Sequence, residues 1–85
     1  MPLALVTGAS EGLGRAFTKR LAGDGYQVVA VARNEARLQK LVSELGDGGH
    51  SFLAADLCET AGVAEVAAAL TSRHFDLLVN NAGLG

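Results

Sequence analysis

One loop and three short strand ends hold the residues whose types and spacing suit chemistry. The loop, Thr7-Gly8-Ala9-Ser10-Glu11-Gly12-Leu13-Gly14-Arg15, carries three glycines in a short span. Gly8 allows a tight turn, Gly12 lacks a side chain that would hold a pyrophosphate off the backbone, and Gly14 lets a helix pack close to a sheet. Where such a loop opens a helix, its backbone N–H groups and the positive end of the helix dipole face an anion together. A plain strand-to-helix turn is the competing reading. The position after an apolar run and before a helical pattern favours nucleotide binding. The Gly-Lys-Ser/Thr ending of an NTPase phosphate loop is absent. Ser10, Glu11 and Leu13 are candidate contacts in the same loop. The Glu11 charge is expected to point to solvent, since beside phosphates it would oppose them.

About twenty positions past the glycines, NAD-binding domains carry an acid that accepts bonds from the adenosine ribose. The chain has Ala32-Arg33 there. A small residue followed by a guanidinium leaves room for a 2′-phosphate and supplies a planar donor fork. The competing reading is an exposed arginine interacting with Glu35. Ser10 is a second candidate for that phosphate. Arg37 is a weaker one, better read as part of a solvated helix face. Asp56-Leu57 follows a third apolar run, where a carboxylate can accept from an adenine amino group and the next N–H can meet a ring nitrogen. A turn aspartate is the alternative. Asn80-Asn81-Ala82-Gly83 follows a fourth run. Its two amides can tie the loop backbone, and its small residues leave space for a ribose and a ring. His50 and His74 read as surface or loop residues, Cys58 as a small buried residue, and Tyr26 as a packing residue.

The elements that must position these groups alternate regularly. Leu3–Val6, Val28–Ala32, Phe52–Ala55 and Leu77–Val79 are continuous apolar runs, as expected of strands covered on both faces. Between them, Leu13/Phe17/Leu21, Leu38/Leu41/Val42/Leu45 and Val63/Val66/Ala67/Leu70 repeat at helical spacing and predict one apolar stripe per helix. Asn34 and Thr60 are the expected N-caps, and Gly23, Gly25, Gly46, Gly48 and Gly49 the expected terminators. The order βαβαβαβ with short right-handed crossovers predicts a doubly wound parallel sheet of strand order 3-2-1-4. Residues 1–85 form at most one domain, a Rossmann-type half truncated after its fourth strand.

The Gly8, Gly12, Gly14 spacing together with Asn80 to Gly83 resembles the short-chain dehydrogenase/reductase family, across essentially the whole chain. The resemblance implies an NADP(H)-dependent oxidoreductase moving hydride between nicotinamide and a carbonyl or alcohol carbon. It also implies Arg33 as the NADP(H) determinant, preferred over NAD(H), and Asp56-Leu57 as an adenine clamp. Asn80, Ala82 and Gly83 become cofactor contacts, and the longer protein is implied to be a homo-oligomer acting on a small molecule. The family's catalytic serine, and its tyrosine followed four positions later by lysine, are not found in residues 1–85, so no catalytic residue is assigned and the chain alone is expected to be inactive. A non-catalytic NADP(H)-binding or interaction module is the alternative. A methyl-donor-binding transferase would expect an acid where Ala32-Arg33 stands.

Composition narrows the partners. With 49% hydrophobic and 19% charged residues, intrinsic disorder is not expected. A formal charge of −2 offers no nucleic-acid footprint. A single cysteine excludes an intrachain disulfide and a thiolate metal cluster. No run of apolar residues reaches membrane-spanning length. A soluble, cytoplasmic protein without metal is the expectation.

Overall fold

A computed structural model describes residues 2–81. The elements follow in the order β1 (Leu3–Thr7), α1 (Gly12–Gly23), β2 (Gln27–Ala32), α2 (Glu35–Leu45), β3 (Ser51–Ala54), α3 (Thr60–Ser72) and β4 (Leu77–Asn80). The four strands form one parallel sheet in the order β3-β2-β1-β4, the order expected of the sequence pattern. β1 lies between β2 and β4, with Leu5 opposite Val29 on one side and Leu78 on the other. Every residue of β1 is buried, which explains its unbroken apolar run.

Side chains alternate across the sheet, so its two faces build two cores. Leu3, Leu5, Val29 and Val31 pack with Val66 and Leu70 of α3. On the other face Val6, Val28 and Ala30 pack with Leu38 and Leu41 of α2 and with Leu21 and Ala22 of α1. The third helix therefore covers one face and the first two the other. Asp76 fastens the start of β4 to β1. Its carboxylate accepts from the Leu3 N–H at 2.8 Å, and its own N–H donates to the Leu3 carbonyl at 2.8 Å.

Two helix expectations are corrected. The buried residues of α1 are Gly14 and Thr18, while Leu13 and Phe17 of the expected stripe are 67% and 46% exposed. The close approach of Gly14 to the preceding loop rotates the helix away from its apolar side. α3 begins after Glu59, which makes no side-chain cap bond, and Thr60 is already helical. Asn34 does cap α2, accepting from the Arg37 N–H at 3.0 Å. α1 closes as expected around glycine: Gly25 has φ 95°, with Tyr26 N–H on the Leu21 carbonyl and Gly25 N–H on that of Ala22, the bond pair of a Schellman motif.

Candidate nucleotide site

The three loop glycines answer two different demands. Gly8 (φ 64°) and Gly12 (φ 53°) lie in the left-handed region, which L side chains avoid. Space around Gly12 is open, with nothing within 4 Å of where a Cβ would stand. At Gly14 the constraint is contact: a Cβ would stand 1.9 Å from the Gly8 carbonyl oxygen and 2.8 Å from the Asn81 amide nitrogen. The first turn of α1 is brought directly beneath the loop. Glu11 holds the N-cap position in extended conformation but makes no cap bond, and the first turn carries no acidic residue. The N-terminal end of α1 thus keeps its positive character and its freedom from side-chain acceptors, as phosphate binding requires.

A cleft of about 980 Å³ opens along the carboxyl ends of the strands, at the upper end of the roughly 300–1,000 Å³ typical of ligand sites. Of the residues singled out in sequence, Gly8, Ser10, Glu11, Gly12, Leu13, Arg33, Asp56 and Leu57 line it. Gly14 supports the loop from behind. Asn80 is not part of the wall. Its Oδ1 accepts from the Thr7 hydroxyl at 3.0 Å, and the Thr7 Oγ1 in turn accepts from the Asn81 N–H at 2.9 Å. These bonds tie the end of β4 to the end of β1, leaving Asn81 as the amide that borders the cleft. Ala82 and Gly83 lie outside the described residues.

The Asp56 side chain makes the turn that was the alternative reading of its sequence position. Its Oδ1 accepts from the Cys58 N–H at 2.9 Å, and its carbonyl accepts from the Glu59 N–H at 3.1 Å, closing a turn. Oδ2 has no partner among the described residues. Gly62, buried on α3, abuts this turn so closely that a Cβ would stand 1.9 Å from the Asp56 carbonyl oxygen. Sequence gave no sign of that demand, because it arises only where the helix folds back on the turn. Cys58 proves exposed, not buried. His50 is more than a surface residue, since its Nδ1 accepts from the Val28 N–H at 3.1 Å beside the β2–β3 ladder.

Charge is concentrated between α1 and α2. Arg33 is exposed at the end of β2 and makes no ion pair among the described residues, so the Glu35 contact of the competing reading is not formed. Arg37 does not sit on a merely solvated face: it lines the cleft and pairs with Glu11. Glu11 is exposed, as expected, yet engaged instead of simply hydrated. A smaller hollow of about 230 Å³ adjoins, lined by Ser10, Arg15, Arg37 and Lys40. Glu44 bridges Arg15 at 2.5 Å and Lys19 at 3.3 Å. The Lys19 hydrogen bond, aided by the charges of Lys19, Arg15 and Lys40, holds its carboxyl below the ordinary value. Among the described residues there is no metal-ligating cluster, and no helix is long and apolar enough to cross a membrane.

The sequence profile described as short chain dehydrogenase matches residues 2–85. NADP-dependent 3-hydroxy acid dehydrogenase of Shigella flexneri is 40% identical over 84 residues, covering 96% of this chain and 34% of that protein. Serine 3-dehydrogenase of Agrobacterium fabrum is 39% identical over 82 residues, covering 94% and 32% respectively. The short-chain dehydrogenase of Sphingobium yanoikuyae, solved in complex with NADPH, superimposes with a TM-score of 0.88 at 39% identity, over 98% of this chain and 34% of that one. The chain spans about a third of the length of these relatives.

Proposed function

The chain belongs to the short-chain dehydrogenase family, and on that premise we propose that it forms the adenosine-and-phosphate half of an NADP(H) site in an oxidoreductase acting on a carbonyl or alcohol. The observation that carries the cofactor choice is Arg33. It borders the cleft directly after β2 with no ion-pair partner among the described residues, where an NAD site would hold an acid. The open space at Gly12 and the side-chain-free end of α1 suit a pyrophosphate. The free Asp56 Oδ2 suits an adenine amino group. NADP(H) bound there supplies the hydride donor or acceptor of the family's reaction; the residues of this chain bind it, orient its adenine and counter its charge.

Acid–base chemistry falls to other residues than these. Tyr26, the sole tyrosine, packs against the core on the α1–α2 face, and the residue four positions on is Ala30. Hydride transfer is therefore proposed for the longer protein of which the relatives are examples. The alternative reading is an NADP(H)-binding module without catalysis. A tyrosine followed four positions later by lysine, in reading frame beyond residue 85, decides for the enzyme.

The assignment is tested by titrating the chain and its Arg33→Ala variant with NADPH and NADH. Loss of a charge-assisted contact is expected to weaken NADPH binding by about 1–3 kcal/mol, with a much smaller change for NADH. Equal losses for both nucleotides would remove Arg33 from the 2′-phosphate.

A further inference from the structure

The ion pair between Glu11 and Arg37 crosses from the β1–α1 loop to the first turn of α2, on the side of the cleft that Arg33 borders. Neither partner is held by burial, the side chains being 70% and 55% exposed. Glu11 could have capped its own helix, where its charge would meet the positive end of the dipole, yet its carboxylate turns to a guanidinium twenty-six positions on. Arg37 in turn borders both the cleft and the smaller hollow, beside Ser10 each time. The charges around Ser10 are unequally occupied. Glu44 engages Arg15, Glu11 engages Arg37, and Arg33 has no partner among the described residues.

We propose that Glu11 is a built-in competitor for the 2′-phosphate: Arg37 is a second ligand of that phosphate, and it becomes available only as the phosphate displaces the Glu11 carboxylate. The proposal rests on the NADP(H) reading of Arg33 and deepens it. Exposed ion pairs are weak, whereas a guanidinium meets a phosphate through two parallel charge-assisted bonds. The exchange therefore runs toward the phosphate. It is incomplete in benefit, because the phosphate gains Arg37 only by breaking the Glu11–Arg37 pair. Glu11 thereby sets how strongly the chain discriminates between NADP(H) and NAD(H).

Calorimetric titration of the full chain with adenosine 2′,5′-bisphosphate and adenosine 5′-monophosphate tests this, since the two differ only in the 2′-phosphate. Glu11→Gln is expected to tighten the bisphosphate about three- to tenfold and to leave the monophosphate within about twofold. Arg37→Met is expected to weaken the bisphosphate by a similar factor. In the Arg37→Met background, Glu11→Gln is expected to change it less than about twofold, because the competition has lost its object. Thermal melts of each variant confirm folding, which two exposed positions should not disturb. An unchanged or weakened bisphosphate affinity in Glu11→Gln would overturn the proposal. So would equal tightening with and without Arg37, which would make Glu11 a general repulsive charge. If instead the wild-type chain binds both nucleotides equally and Arg33→Ala changes nothing, the NADP(H) reading itself fails.

Discussion

At the scale of single residues, the site turns on what each glycine is for. Gly14 is fixed by contact, its missing Cβ leaving room for the Gly8 carbonyl, whereas Gly12 is fixed by its positive φ in open space. The two substitutions should differ accordingly. Gly14→Ala forces the loop and α1 apart, an overpacking cost of about 1–3 kcal/mol or more, and it moves the N–H groups that would face phosphate. Gly12→Ala meets no atom and should cost only the left-handed penalty, about 1–2 kcal/mol. Denaturant midpoints and nucleotide titrations of both variants check this, and equal behaviour would refute the distinction. Glycines in the loop were legible because a Gly8-Gly12-Gly14 spacing between a strand and a helix has few other uses. Gly62 was not, because nothing in Thr60-Ala61-Gly62 announces that Asp56 will lie against it. The Glu11–Arg37 pair was hidden for the same reason: charges so far apart in sequence meet only after β2 has crossed the sheet.

Secondary elements were read from periodicity, and their existence and order followed from it closely. Continuous apolar runs marked all four strands within a residue or so of their ends, since a parallel sheet covered on both faces buries every position of its central strand. Periodicity says less about which side of a helix turns inward. For α2 it was sufficient, and Leu38 and Leu41 are buried. For α1 the pattern pointed to Leu13 and Phe17, but the contact at Gly14 sets the helix rotation, and Gly14 and Thr18 face the sheet instead. Stability should register that rotation. Leu38→Ala, at a fully buried position, is expected to cost about 2–5 kcal/mol. Phe17→Ala, in spite of the larger side chain, is expected to cost about 1 kcal/mol or less. Chemical unfolding of the two variants reads the difference directly, and a Phe17 loss as large as that of Leu38 would restore the stripe that periodicity suggested.

For the whole molecule, the decisive asymmetry is that cover is complete over β1 and β2 and thin beyond them. α3 packs on Leu3, Leu5, Val29 and Val31, yet Leu78 is 51% exposed although it pairs with buried Leu5 and so lies on the same face. On the opposite face, Leu13 and Phe17 project from α1 into solvent. β3 and β4 each have a single strand neighbour among the described residues, so each offers one edge of backbone donors and acceptors. Half-exposed leucine or phenylalanine side chains gain about 1 kcal/mol each on burial, so these three supply roughly 3 kcal/mol, too little alone for association below millimolar concentration. Pairing along the β4 edge adds directional hydrogen bonds beside Leu78. The isolated 85-residue chain is therefore expected to self-associate through the β4 side, and its sedimentation coefficient should rise over a hundredfold increase in concentration, about micromolar to sub-millimolar. Leu78→Lys places a charge on that surface beside the edge and should shift the rise to higher concentration, whereas Arg33→Ala, at the far end of β2, should not. A chain that sediments as a monomer throughout, or that associates equally with lysine at 78, would show that the thinly covered side of the sheet is not where copies meet.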